Sequence, residues 1–244
     1  MNTGEFKLEK EMTQPAADYL RSQGLFVKKE FQTPWGYCDL AGCSFDEDRV
    51  KARLSLGQRT PMGPQLRIAV LLAMPGNKKN EGVSLDELVR QFGRFHDADQ
   101  IKGNVDRLLK YKFAIRDAAG TFKRATDWMP LQKRLVAVEL KLTRIAEVLS
   151  QAVGNKGFAE ESFVGLPMQR AKRVADGKKR DEFLRCGVGL LGVSVDDVQV
   201  LIEAGKEAPV PGYSTIQSHC VERFWRTFRP QSLTPKSCVT KERP

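Results

Sequence analysis

The sequence predicts an α/β fold, a mixed sheet flanked by helices, with a separate and largely helical unit inserted in its middle. Three observations predict it. The chain opens with a helix followed by two strand candidates. After residue 128 an alternating apolar strand, an amphipathic helix and a wholly apolar strand follow one another. Between these, residues 61–127 carry helical periodicity of their own, in a stretch far too long to be a hairpin loop.

Residues 11–23 read as a helix stopped by Gly24, with Pro15 tolerated only within the first turn. Leu25 to Phe31 and Gly36 to Phe45 read as strands around a Pro34-Trp35-Gly36 turn. Far downstream, Val136, Val138, Leu140 and Leu142 alternate with Ala137, Glu139 and Lys141, the period-two pattern of a strand. Arg144 to Val153 is then a short amphipathic helix, and Ser162 to Pro167 an apolar strand closed by proline. The basic run Arg170, Lys172, Arg173, Lys178, Lys179, Arg180 and Arg185 falls on a helical segment, diluted by Asp176, Asp181 and Glu182, and reads as a solvated face. Gly187-Val188-Gly189-Leu190-Leu191-Gly192 spells the dinucleotide fingerprint, but a charged helix precedes it and a strand follows. That order cannot deliver a pyrophosphate to a helix N-terminus, so these glycines are assigned to close packing in the last core strand. Thr215 to Thr227 reads as a short amphipathic helix, in a proline-containing basic tail whose last dozen or so residues are expected to be mobile.

The insertion begins with a helix from Pro64 to Met74, stopped by Pro75-Gly76-Asn77. A second follows a capping-box match at Ser84-Leu85-Asp86-Glu87. A third spans 97–112 with Ile101, Val105, Leu108 and Leu109 on one face. Phe113 to Asp117 and Thr121 to Arg124 then make a small hairpin. Three helices and a hairpin in that order are the order of a winged helix. Burying the apolar face of the third helix turns Gln100, Gly103, Arg107 and Lys110 outward with Asn104 at the flank. Arg, Asn and Gln read base edges and Lys110, Lys123 and Arg124 suit phosphates, so this module is expected to bind duplex DNA. A winged helix used for protein contacts, or a merely solvated polar face, is the alternative.

The chemistry is expected at Asp39, Glu139 and Lys141. A strand that buries Val and Leu while presenting a carboxylate and an ammonium needs partners for those charges if both faces are covered. Asp39 sits in a second apolar run, Cys38 to Phe45, with the same need. Two carboxylates plus the Leu140 carbonyl would suit Mg²⁺, with Mn²⁺ as substitute, and Lys141 beside them could orient or help deprotonate an attacking water. The plainer alternatives are an exposed Glu/Lys pair on an edge strand and a turn aspartate after Trp35-Gly36.

In this order of elements, with Asp39 ending a hairpin and Glu139-Leu140-Lys141 on the next core strand, the chain resembles the restriction-endonuclease-like, or PD-(D/E)xK, nuclease superfamily. The following helix and strand are similar to those of Holliday-junction-resolvase-type and Mrr-type members. The resemblance implies a metal-dependent endonuclease hydrolysing DNA phosphodiesters. It also implies a further acid on the first helix, for which Glu11 is the nearest match and Glu9 an alternative, and a supporting polar residue at Gln151. The chain departs from the pattern in having Cys38 where proline stands, and in the distance from Asp39 to Glu139. The domains implied are a nuclease core in two parts, 1–60 and 128–205, an inserted winged helix over 61–127, and a C-terminal helix and basic tail over 206–244. A non-catalytic DNA-binding protein on the same scaffold is the competing expectation.

The net charge of +10 and pI near 9.4 favour a polyanionic partner, with RNA as well as DNA eligible. The 5 cysteines include no C-x-x-C pair and only His96 and His219 could add imidazoles, which argues against zinc. With no secretory signal and no bilayer-length apolar run, the protein is expected to stay in the reducing cytoplasm and off membranes. Whether two subunits pair to cut both strands is left open.

Overall fold

The computed structural model describes residues 6–79, 81–126, 128, 130–206 and 214–225. The chain divides into two compact units, Met1–Ser44 with Gln132–Gln217, and Phe45–Leu131 with Ser218–Arg229.

The first unit is a six-stranded mixed sheet in the order β1-β2-β5-β6-β7-β8. β1 (Phe26–Thr33) and β2 (Gly36–Phe45) form an antiparallel hairpin, with Thr33 opposite Gly36 across the turn. β5 (Gln132–Leu140), β6 (Glu161–Pro167) and β7 (Gly189–Val193) run parallel, and β8 (Val198–Ile202) returns antiparallel to β7. The Gly187 to Gly192 segment is therefore not the last strand of the core. Helix α1 (Glu9–Ser22) lays Met12, Ala16, Ala17 and Leu20 on Leu40, Val136, Val138, Leu140 and Phe163. A second cluster joins Val148, Leu149 and Ala152 of α6 (Ile145–Asn155) to Val164, Leu166 and Leu190, with α7 (Met168–Ala175) and α8 (Arg180–Cys186) contributing Ala171, Val174 and Phe183. Even-numbered β5 residues serve the first cluster, so alternation directs Glu139 to the α6 side.

Some elements depart from expectation. α1 starts at Glu9, which places Pro15 beyond the first turn. The basic run breaks into α7 and α8, and its Lys172, Arg173, Lys178, Lys179, Arg180 and Arg185 are exposed, a solvated face. Gly189 bears out the packing role assigned to it, because a Cβ there would collide with the Phe163 ring.

The second unit opens with α2 (Glu47–Ser55), a helix that the sequence reading passed over, capped by Asp46 accepting from the amides of Asp48 and Arg49. α3 (Gln65–Ala73), α4 (Leu85–Phe92) and α5 (Ala98–Lys110) follow, and then the hairpin of β3 (Ala114–Arg116) and β4 (Phe122–Arg124). Ser84 and Glu87 close the expected capping box on α4. Ile68, Leu71, Leu88, Ile101, Val105, Leu108, Phe113 and Phe122 make one core. The boundary expected at residue 60 falls after Ser44 instead, and residues from Ser218 in α9 (Ser214–Trp225) group with this unit. A buried charge links α9 to this unit. Arg53 of α2 is paired with Glu222 of α9, its Nε and Nη2 also donating to the carbonyls of Gln58 and Thr60 at 3.0 and 2.9 Å. Glu222 accepts in addition from the Met62 amide at 2.7 Å, and the guanidinium lies 4.2 Å from the Trp225 ring centroid. The end of the expected helix, Arg226 and Thr227, and the tail beyond it lie outside the described residues.

Glu222→Gln, which leaves Arg53 charged and buried, is expected to lower stability by about 3–5 kcal/mol, whereas the apolar pair Arg53→Met with Glu222→Leu loses much less. Denaturant unfolding followed by tryptophan fluorescence measures both. Equal losses in the two variants would show that packing, not the charge, is what counts.

Candidate active site

The hairpin β1–β2 and strand β5 bring Asp39 and Glu139 together. Asp39 Oδ2 accepts from the Leu140 amide at 2.7 Å, across 101 positions of chain. The two carboxyl groups lie close enough to act on each other, the charge of Asp39 helping to raise Glu139. Opposite Asp39 in the hairpin register stands Glu30, whose φ of +47° is a left-handed conformation rare for such a side chain. Between the Lys29 and Phe31 pairs the ladder is broken at this point, beside the candidate site.

Glu139 is 5% exposed, which rules out the exposed-pair alternative. Burial is the main cause that lifts its carboxyl to about 7, with the Asp39 charge adding to it and the Asn155 hydrogen bond opposing it. Burial also raises Asp39, against the Leu140 amide and the Lys141 ammonium, which favour its ionised form. Asn155, the last residue of α6 and itself buried, donates from Nδ2 to Glu139 Oε1 at 2.6 Å and to Cys38 Sγ at 3.5 Å. Burial and the Glu139 charge push the Cys38 thiol up, so it stays neutral and serves as packing.

Lys141 follows directly on the strand, its amide donating to Gly165 at 3.0 Å. Its Nζ lies 3.4 Å from Glu9 Oε2 and 3.7 Å from Glu147 Oε1, and Glu9 Oε1 also accepts from the Leu142 amide at 3.3 Å. Helix α1 thus does send an acid to the site, but it is Glu9. Glu11 instead closes the α1 capping box, accepting from the amides of Lys7 and Leu8, which hold its carboxyl below the usual range. Gln151 is exposed. The polar contact expected of it is made one helical turn on by Asn155, which the reading missed by ending the helix at Val153; its signal is the i, i+4, i+7 spacing of Val148, Ala152 and Asn155. Among the described residues no cluster of three or more His, Cys, Asp and Glu side chains could hold a metal ion. The oxygens brought together here are those of the Asp39 and Glu139 carboxyl groups. All are hard oxygens, and two acids pressed together need either a proton or a cation between them.

In the second unit, α5 exposes Gln100, Gly103, Arg107 and Lys110 as expected. Asn104 donates to the Gln100 carbonyl at 2.8 Å and accepts from Arg67 Nε at 3.0 Å, which ties both ends of its amide into the unit. Lys123, mostly buried, pairs with Asp117 at 3.5 Å, which withdraws it from the phosphate-contact set. Arg124 is half-buried, and its Nε finds no hydrogen-bond partner among the described residues. No described helix is long and apolar enough to cross a membrane.

A carboxyl raised from 4.5 to about 7 binds a proton in the folded chain that the unfolded chain has released. This stabilisation is complete below about pH 4.5 and is lost as pH rises through 7. The metal-free protein should lose roughly 1–3 kcal/mol across that window. Melting temperature against pH, in chelator, should show the decline in the wild type and not in Glu139→Gln. A parallel decline in both would refute the assignment.

No protein-family model matches the chain, and no curated protein does. Among solved structures it is similar to the SPO1766 protein of unknown function from Silicibacter pomeroyi, with 12% identity over 91% of this chain and 90% of that chain and a TM-score of 0.40, a likeness too distant to carry an argument.

Proposed function

We propose that the protein is a Mg²⁺-dependent DNA endonuclease with a restriction-endonuclease-like core and an inserted winged helix. The observation that carries this reading is the apposition of Asp39 and Glu139, from sequence positions far apart, beside the ammonium of Lys141. Asp39, Glu139 and the Leu140 carbonyl would hold Mg²⁺, or Mn²⁺ in its place. When bound, the ion would polarise the scissile phosphate and lower the pKa of a bound water.

The chain's own groups do the rest. The Leu140 amide orients Asp39, and Asn155 fixes one oxygen of Glu139. Glu9 and Glu147 hold the Lys141 ammonium at the site, where it steadies the attacking water and the negative charge that grows on the phosphate in the transition state. α3, α4, α5 and the β3–β4 hairpin have the order of a winged helix, with Gln100, Gly103, Arg107 and Lys110 presented to duplex DNA. The net charge of +10 draws the polyanion in. A reducing cytoplasm suits the free thiols of Cys38, Cys43, Cys186 and Cys220.

One observation favours a second reading, a non-catalytic DNA-binding protein that keeps the scaffold: among the described residues no third ligating side chain joins the two carboxylates.

Purified protein with Mg²⁺ or Mn²⁺ should nick supercoiled DNA, and Asp39→Ala or Lys141→Ala should lower the rate by about 10²-fold or more. Cleavage that survives both changes would sink the assignment. Saturating Mg²⁺ should raise the melting temperature of the wild type and not of Asp39→Ala, since an ion that binds only the native state stabilises it. Absence of both cleavage and this rise selects the scaffold reading.

A further inference from the structure

Arg67 is an unexpected charge, standing within the apolar turn Leu66-Arg67-Ile68-Ala69-Val70 of α3 and only 5% exposed. Its Nε donates to Asn104 Oδ1 at 3.0 Å and its Nη1 to the Met62 carbonyl at 2.7 Å. Both acceptors are neutral, and among the described residues no carboxylate pairs with it. Burial lowers its pKa, and the neighbouring Arg107 guanidinium lowers it further. Two like charges, one of them buried, are costly to keep together without an anion. They line the same open cleft, of about 420 Å³, with Pro64, His96, Asp99 and Gln100.

We propose that this cleft is a seat for a single phosphate group, gripped by Arg67 from within and by Arg107 from the exposed side. The guanidinium of Arg67 is already oriented by its two neutral acceptors, and its Nη2 makes no hydrogen bond among the described residues, leaving that edge for an oxygen. Gln100 and His96, which share the lining, each carry a side-chain N–H able to donate. Asp99, the one acid of the lining, disfavours a densely charged polyphosphate and suits one phosphate carrying one or two charges. Gly103, where a Cβ would meet nothing within 4 Å, keeps the wall low enough for a backbone to pass. The seat stands on the geometry of this unit alone. Its occupation by a nucleic-acid phosphate rests on the proposed DNA-binding role of α5.

Calorimetric titration of the full-length chain with inorganic phosphate, against chloride at equal ionic strength, tests the proposal. Saturable one-site binding is expected, weakened about tenfold or more by Arg107→Gln and by Arg67→Lys, which keeps the charge but loses the fork. Because Arg107 is exposed, Arg107→Gln remains informative even if the Arg67 variant fails to fold. No saturable binding, or unchanged affinity in Arg107→Gln, overturns it. A short DNA duplex that displaces the phosphate identifies the backbone as its source, and a duplex that leaves it bound identifies a free phosphate or phosphomonoester. Asp39→Ala should bind phosphate as the wild type does, so a loss of cleavage and a loss of the seat are read separately.

Discussion

Two carboxyl groups held against each other inside a sheet are the constraint around which the first unit is arranged. Asp39 and Glu139 would repel if both were ionised, and burial removes the water that could screen them. The surroundings answer that cost at several points. The Leu140 amide takes one oxygen of Asp39, Asn155 takes one oxygen of Glu139, and Lys141 supplies positive charge from the next residue. None of these would be in place without the pairing of β2 with β5 or without α6 closing over that side of the sheet. The break in the hairpin at Glu30 belongs to the same arrangement, since it lies where the register would pair that residue with Asp39.

Much of this was legible because period-two and period-3.6 patterns are strong where one face is buried. β5 announced itself through Val136, Val138 and Leu140, α4 through its capping box, and α5 through Ile101, Val105 and Leu108. What escaped was of another kind. α2 is short and mostly charged, and it is held by Arg53, a contact no periodicity can reveal because its partner Glu222 lies 169 positions away. β8 half-buries Val198, Val200 and Leu201 together and so shows little alternation. The choice between Glu9 and Glu11 turned on two residues of helix start. An acid at the third helical position is taken by its own cap, which leaves the acid at the first position to reach across to Lys141. Asn155 was missed for a similar reason, since one more helical turn moves the supporting residue from Gln151 to a position four residues on.

Three buried ionisable groups in this chain solve one physical problem in different ways, and the comparison shows where a ligand belongs. Arg53 is answered inside the protein by a fork of hydrogen bonds to Glu222, by two carbonyls and by the Trp225 ring, which leaves nothing for an outside partner to improve. Glu139 is answered by the Asn155 hydrogen bond and by a carboxyl pushed up to about 7, which favours its neutral form until pH rises through that value. Arg67 is given neutral acceptors and a second cation, so its charge is oriented without being neutralised. A buried charge with a full complement of partners stabilises a fold. A buried charge that is oriented and left without its counter-ion favours whatever brings that counter-ion in, and that is the position of Arg67, whose two acceptors are both neutral.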